Sequence, residues 1–327
     1  MPGPMTHYVF YKELKRRLRN KHIKMAEDYD KYSIFAQGHD LLLYQCQYNL
    51  FEEKKLSSNI ALAKKLQEYN FSEFVYCYLK NAEKLGVLNK SSVKGFISYG
   101  YIGHHILDMY THPLIIYYSG DHIRTKETKK WKHGVVENLI DIYFAEKNMK
   151  IRMSKYPVHK LFLFDSSIFD GDLARVLDMT LEQVYGYKDG AKKFYAGCTN
   201  MYWFMKTMKY DPVGIKRILL NMLEVFMHGM NSFSYHRKKS PVRTYLNREH
   251  ELWHNPMNPE ITSSESLDDL FERGLEHTAQ IIAELDKVIE SGKIDKAVIE
   301  KIIPNKASTH GLECGQGLVI NMTKEKM

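Results

Sequence analysis

His104, Asp108 and His112 stand four residues apart in the stretch GHHILDMYTHP, and His133 and Glu137 repeat that spacing in KHGVVENLID. On an α-helix a four-residue step returns to the same face, so each set projects side chains close enough to share an ion. Two facing helices that each bring such a set build a metal cage in a bundle core. Imidazole and carboxylate without thiolate suit a hydrolytic zinc better than a structural one. One His–Asp pair at this spacing is more often a helix-surface hydrogen bond or a satisfied core pair. Five ligand-type side chains in register on two helices point to metal.

The elements that must position them follow from the neighbouring residues. Phe96, Ile97, Tyr101, Ile106 and Leu107 make the 91–117 helix apolar nearly all round, which places it at the centre of the molecule. Charges buried there require pairing or a metal. Pro113 biases His112 out of the helical region, so a kink or helix end is expected at His112, aiming its ring at a different ion from His104. In the second ligand helix, 126–147, Asp141 lies one turn beyond Glu137, placed to orient a ligand by hydrogen bonding.

Upstream, residues 5–24 read as an amphipathic helix whose inward face carries His7, Phe10, Leu14 and Leu18. A lone inward histidine is more often core than ligand. The basic residues of 12–24 are either simply solvated or meet anionic lipid headgroups. Gly38 predicts a turn, after which His39 and Asp40 enter an apolar segment. An Asp at such a position is either a helix cap or a ligand. Residues 57–86 read as one long helix whose inward stripe includes Gln67, as metal ligand, hydrogen-bond donor behind a ligand, or satisfied core amide.

Downstream, shorter helical pieces span 156–187, and helix resumes over 191–228 with Trp203, Phe204, Met205, Met222 and Phe226 assigned to the core. A Ser-rich segment caps a helix at about 266–291, and a last short helix covers 294–303. His250, Trp253 and His254 line a substrate pocket or form a packed polar corner. Alternating strand patterns are nearly absent. The expected architecture is all-α, a multi-helix bundle with a metal cluster between core helices. It comprises one domain over 1–303 and a weakly structured tail over 304–327.

Composition narrows the function. The chain has 327 residues, 44% hydrophobic and 26% charged, enough for a sizeable core. Net charge is +8, but residues 1–25 hold seven Lys/Arg against Glu13 alone, leaving the remainder near neutral. A general nucleic-acid surface is therefore not expected. The four cysteines lack CxxC spacing, which argues against thiolate zinc and a disulfide framework. The N-terminus turns basic at once and carries no apolar signal segment, so a cytoplasmic location is expected. No glycine-rich phosphate loop and no Gly-x-Ser-x-Gly elbow is present.

Several motifs together resemble the bacterial zinc-dependent phospholipase C family. They are MPGPMTHYVF, then AQG-x-D (Ala36, Gln37, Gly38, Asp40), then GH-xxx-D-xxx-HP (Gly103, His104, Asp108, His112, Pro113). H-xxx-E (His133, Glu137) and YLNREHELWHNP follow, and the resemblance extends over roughly residues 5–285. It implies an all-helical fold holding up to three zinc ions. Asp40, His104 and Asp108 would hold one ion, and His112, His133 and Glu137 a second. Asp108 would bridge to a third that His7 also holds. The implied reaction is phosphodiester hydrolysis by a metal-activated water, with Asp40 orienting or deprotonating it. The implied substrate is a phospholipid or a soluble phosphodiester.

Two positions depart from the family pattern. No histidine stands between His39 and His104, where the family supplies one; Gln67 is the best positional match, with His39 available to assist. A neutral amide is a poorer zinc ligand than imidazole. Secreted members also use a processed N-terminal residue as ligand, whereas this chain starts six residues before His7, and Pro2 would serve only after loss of Met1. The alternatives are a non-catalytic metal- or lipid-binding protein of the same fold and a zinc nuclease. With roughly two or three ions expected in all, the His112–His133–Glu137 site has the fullest ligand set.

Overall fold

The computed structural model describes residues 2–23, 25, 28–46, 53–119, 131–224, 230–236 and 245–315. It is all-α, as the sequence patterns predict, with one small hairpin added. In chain order the helices are α1 (Pro4–Asn20), α2 (Glu53–Glu68), α3 (Phe71–Lys84), α4 (Ser91–Lys94), α5 (Ile102–Ser119) and α6 (Trp131–Phe144). They continue with α7 (Gly171–Tyr185), α8 (Gly190–Phe204), α9 (Ile215–Leu223), α10 (Leu267–Ser291) and α11 (Lys296–Ile302). Short 3₁₀ and π segments join them, and β1 (Trp253–Asn255) pairs antiparallel with β2 (Asn258–Ser263).

α5 is the hub. It packs against α1, α6 and α10, and a π segment, Gly95–Tyr101, leads into it. Its apolar surround buries Ile102, Ile106, Leu107, Leu114 and Ile115 completely or nearly so. Of the two expectations for His112, a kink or a helix end, the end does not occur: α5 runs through Pro113 to Ser119. Proline at 113 removes the N–H that would bond the Met109 carbonyl four residues back. Gly311, in the left-handed region at φ 69°, packs close against that carbonyl. The helix thus survives its proline beside a neighbouring chain segment.

That segment corrects another expectation. Residues 304–315, read from sequence as part of a weak tail, are packed into the molecule; 316–327 lie outside the described residues. Ala307 and Ser308 are fully buried. Ser308 N donates to Gln67 O (2.9 Å), His105 bonds Lys306 O (2.7 Å) and Asn255 Nδ2 donates to His310 O (2.8 Å). All three contacts reach distant elements, so no local periodicity announces them.

The single helix expected over 57–86 is two, α2 and α3, broken at Asn70 (φ 58°). Asparagine tolerates the left-handed conformation better than most residues. Between α1 and α2, residues Tyr29–Cys46 form 3₁₀ turns interrupted at Gly38 (φ 49°, ψ −135°). α10 starts where predicted, with Ser266 and Asp269 forming a reciprocal capping box. Part of the assignment for 191–228 fails. Phe204 and Met205 are buried, but Trp203 and Met222 are exposed, and Phe226 lies outside the described residues.

α1 buries Met5, His7, Phe10, Leu14 and Leu18, as its pattern requires. Its basic face is largely neutralised within the chain. Lys12 and Lys15 bind Asp30, Arg16 binds Glu13, and Arg17 and Lys21 bind Glu276. This leaves much less free charge on 12–23 for an anionic membrane than the sequence suggests; Lys24 lies outside the described residues. No helix among the described residues is long and apolar enough to cross a membrane.

Candidate metal centre

Three elements converge on one buried point. α5 presents His104 and Asp108 on one face, α1 presents His7, and the turn at Gly38 delivers His39 and Asp40. A side chain at position 38 would put its Cβ 2.3 Å from the His104 ring. Only glycine permits both the positive φ and this close approach.

Asp108 lies at the centre, fully buried. Its oxygens are 3.2 Å from His7 Nε2, 3.3 Å from His104 Nε2 and 3.9 Å from His39 Nε2. Neither oxygen is hydrogen-bonded, and neither ring nitrogen of His7 is. Buried carboxylates normally have such partners. His104 Nε2 and His39 Nε2 face each other at 3.3 Å. The bond from His104 Nδ1 to Ala36 O (3.1 Å) assigns the proton to Nδ1 and leaves Nε2 as the lone-pair donor. Two sets, His7–Asp40–His104 and His39–His104–Asp108, hold their donor atoms within 4.8 Å of one another. Orphaned oxygens and converging imidazole lone pairs fit a metal ion.

The electrostatics agree. Burial lowers His7 to about 3 and holds His39 and His104 well below the ordinary imidazole range, so all three rings stay neutral, as ligation requires. Burial raises Asp108 to about 6, and burial together with the neighbouring Asp108 holds Asp40 well above the usual carboxylate range. Two buried carboxyls resist ionising together unless a cation joins them.

His39 is the residue that the sequence patterns underrated. Read from sequence only as an assistant, it supplies the imidazole beside His104. Gln67, the proposed substitute, is buried, and its backbone carbonyl holds Ser308.

His112, His133 and Glu137 also meet, more loosely. His112 Nε2 lies 3.4 Å from His133 Nε2, which lies 2.8 Å from Glu137 Oε1. His133 and Glu137 are partly exposed. The more deeply buried set is therefore the one around Asp108, not the one with the fuller sequence signature.

Asp141 does not reach a ligand ring. It accepts from Thr6 N (2.8 Å), Thr6 Oγ1 (2.7 Å) and the Tyr235 hydroxyl, clamping the first turn of α1 one residue before His7. A Cβ on Gly3 would collide with this carboxylate at 2.3 Å. Asp141→Ala removes the acceptor of two buried hydroxyls, Thr6 Oγ1 and Tyr235, while Thr6 N keeps Gly3 O (3.0 Å); it is expected to cost about 3 kcal/mol in urea unfolding and to weaken metal binding through His7.

Asp40 and Glu137 line a cavity of about 260 Å³ with Pro2, Tyr44, Phe204 and Lys209. Lys209 is nearly buried, held by the Asn138 side chain and by Ser232 O (2.8 Å). Met1, whose removal the N-terminal ligand would require, lies outside the described residues. The other proposed pocket residues stand elsewhere. Trp253 lines a separate cavity of about 480 Å³ on another flank of α5. His250 and His254 are exposed and bonded to Ser264 O and Pro259 O, a polar corner. His105, unassigned from sequence, stacks on Phe71 at 3.5 Å and is a core residue.

The buried histidines set the acid stability of the metal-free chain. In the fold, His7 is lowered to about 3 and His105 to about 4, against 6.5 for an unperturbed imidazole. Below pH 6.5 the unfolded chain therefore binds protons that the fold refuses, and stability falls with falling pH. Asp108, raised to about 6, works in the opposite sense between pH 6 and 4. Five buried histidines are shifted this way, His7, His39, His104, His105 and His112, and they outweigh the buried carboxyls. Urea unfolding with chelator present should give a stability at least about 2 kcal/mol lower at pH 5 than at pH 7.

The fold and site together define an all-α bundle with buried His/Asp groups able to hold a metal ion. No family model, curated protein or solved structure matches the chain.

Proposed function

We propose that the chain is a zinc-dependent phosphodiester hydrolase of the phospholipase C type. The observation that carries this reading is Asp108, fully buried with both oxygens unbonded and three imidazoles around it. Imidazole and carboxylate donors without thiolate favour zinc in a hydrolytic role. His39, Asp40, His104 and Asp108 would hold one ion, with His7 sharing Asp108. His112, His133 and Glu137 would hold another. A bound zinc supplies Lewis acidity and brings the pKa of water down toward ~7.

The chain's own residues supply the rest. Asp40 stands in the cavity wall, placed to orient the attacking water and accept its proton. Lys209, in the same wall, offers a fixed cation to phosphate charge. Tyr44, Phe204 and Phe233 give the cavity an aromatic side for the apolar or cationic part of a substrate. Ala36 O fixes the His104 tautomer, and Asp141 fixes α1.

The test is a substrate panel with and without added zinc: phospholipid vesicles, a chromogenic soluble phosphodiester and single-stranded nucleic acid. Zinc-dependent cleavage of either of the first two supports the reading. Cleavage confined to nucleic acid makes the protein a nuclease. Metal binding with no turnover on any of the three makes it a non-catalytic binding protein.

A further inference from the structure

α9 is turned the wrong way for a core helix. Ile215, Ile218, Leu219 and Met222 follow i, i+3, i+4, i+7, the spacing of a buried stripe. Each is more than half exposed, and so is Val213 just before them; the helix buries only Leu220. This presentation is held firmly. Asp211, itself buried, accepts from Gly214 N (3.0 Å) and Arg217 N (2.8 Å) at the start of the helix and from Ser234 Oγ (3.1 Å). The helix is anchored at its N-terminus with its apolar side outward.

Its surroundings are cationic. Arg217 donates to His236 O and Lys216 to Tyr210 O, which fixes both at the flanks of the stripe. Lys206 lies over the exposed Trp203 ring at 4.8 Å. Burial lowers His159, and Lys206, Lys160 and Lys216 lower it further, so these lysines share one neighbourhood. An exposed apolar stripe, a surface tryptophan and flanking cations match the chemistry of an anionic lipid interface.

The stripe also lies next to the candidate site. α9 packs against Met230–Phe233, and Ser232 and Phe233 of that turn line the cavity holding Asp40 and Glu137. We infer that α9, with Trp203 and its flanking lysines, is an interfacial docking surface that seats the protein on an anionic phospholipid bilayer beside its cavity. This deepens the lipid side of the proposed function and rests on it. It also moves the membrane contact from residues 12–24, whose described charges are mostly paired internally, to α9.

The test is flotation of the full chain with vesicles of phosphatidylcholine containing about 30% phosphatidylserine. Two variants are compared, Ile218→Ser/Leu219→Ser/Met222→Ser and Lys206→Glu/Lys216→Glu. Four of the positions are exposed and Lys216 is half-buried with a bond to Tyr210 O, so thermal melts matched to the unmodified chain are required of both variants. The apolar variant is expected to lose roughly 10- to 100-fold in vesicle affinity, and the charge variant to lose its preference for anionic vesicles. Hydrolysis of the soluble phosphodiester should be unchanged in both. Vesicle binding needs no turnover, so an inactive protein that binds through α9 counts against the hydrolase and not against the surface. Absence of vesicle binding, or equal binding by the apolar variant, overturns the inference. So does a dimer in light scattering that the apolar variant dissolves, which would make the face a subunit interface.

Discussion

Asp108→Asn will remove at least one metal equivalent and lower phosphodiester turnover by at least about 10³-fold, without destabilising the metal-free protein. The two halves of this result have one cause. The carboxylate sits within 3.9 Å of three imidazole nitrogens and has no hydrogen bond to either oxygen. Its negative charge meets only imidazole rings in the fold and is open to an ion. Burial already pushes the carboxyl up to about 6, so in the absence of metal its ionised form is costly near neutral pH. The neutral amide of Asn is nearly isosteric and avoids that cost. Elemental mass spectrometry and turnover read the first half; urea unfolding in chelator reads the second. An Asn variant that is fully metallated, or markedly less stable without metal, would show that Asp108 is a structural residue.

Gly38→Ala should damage fold and site together. Its backbone, at φ 49° and ψ −135°, lies in a region open essentially to glycine alone, a strain of about 1–3 kcal/mol for alanine. The added methyl would also lie 2.3 Å from His104 Cδ2, and relieving that overlap moves either a ligand ring or the turn that carries His39 and Asp40. We expect a loss of about 3–5 kcal/mol in thermal or urea unfolding, together with loss of metal. Gly86→Ala separates the two effects. Gly86 has φ 70° but open space around it, so that variant should cost about 1 kcal/mol and keep its metal.

How much of this was legible beforehand depended on whether the cause was local. The four-residue register of His104 with Asp108, and of His133 with Glu137, is a property of single helices, and the structure brings each pair together. The inward orientation of His7 and the Ser266 cap came from the same kind of local rule. His39 was undervalued because nothing in its own neighbourhood says that a kink at Gly38 will swing it onto a helix 65 residues away. Asp141 looked like a support for a ligand ring because it lies one helical turn from Glu137. Its true partners, Thr6 and Tyr235, are 135 and 94 residues distant. Trp203 and Met222, expected in the core, are exposed because an apolar residue type does not say what covers it. Residues 304–315 carry no periodicity at all, since their hydrogen bonds go to separate loops and helices.

The side chains around Asp108 are arranged as metal ligands would be. The most direct test is metal content by elemental mass spectrometry on the full chain, purified without chelator and without an added histidine tag. Roughly two or three zinc ions per chain are expected, the tightest lost in Asp108→Asn. A chain that carries no metal, and takes up none when zinc is added, would contradict this expectation.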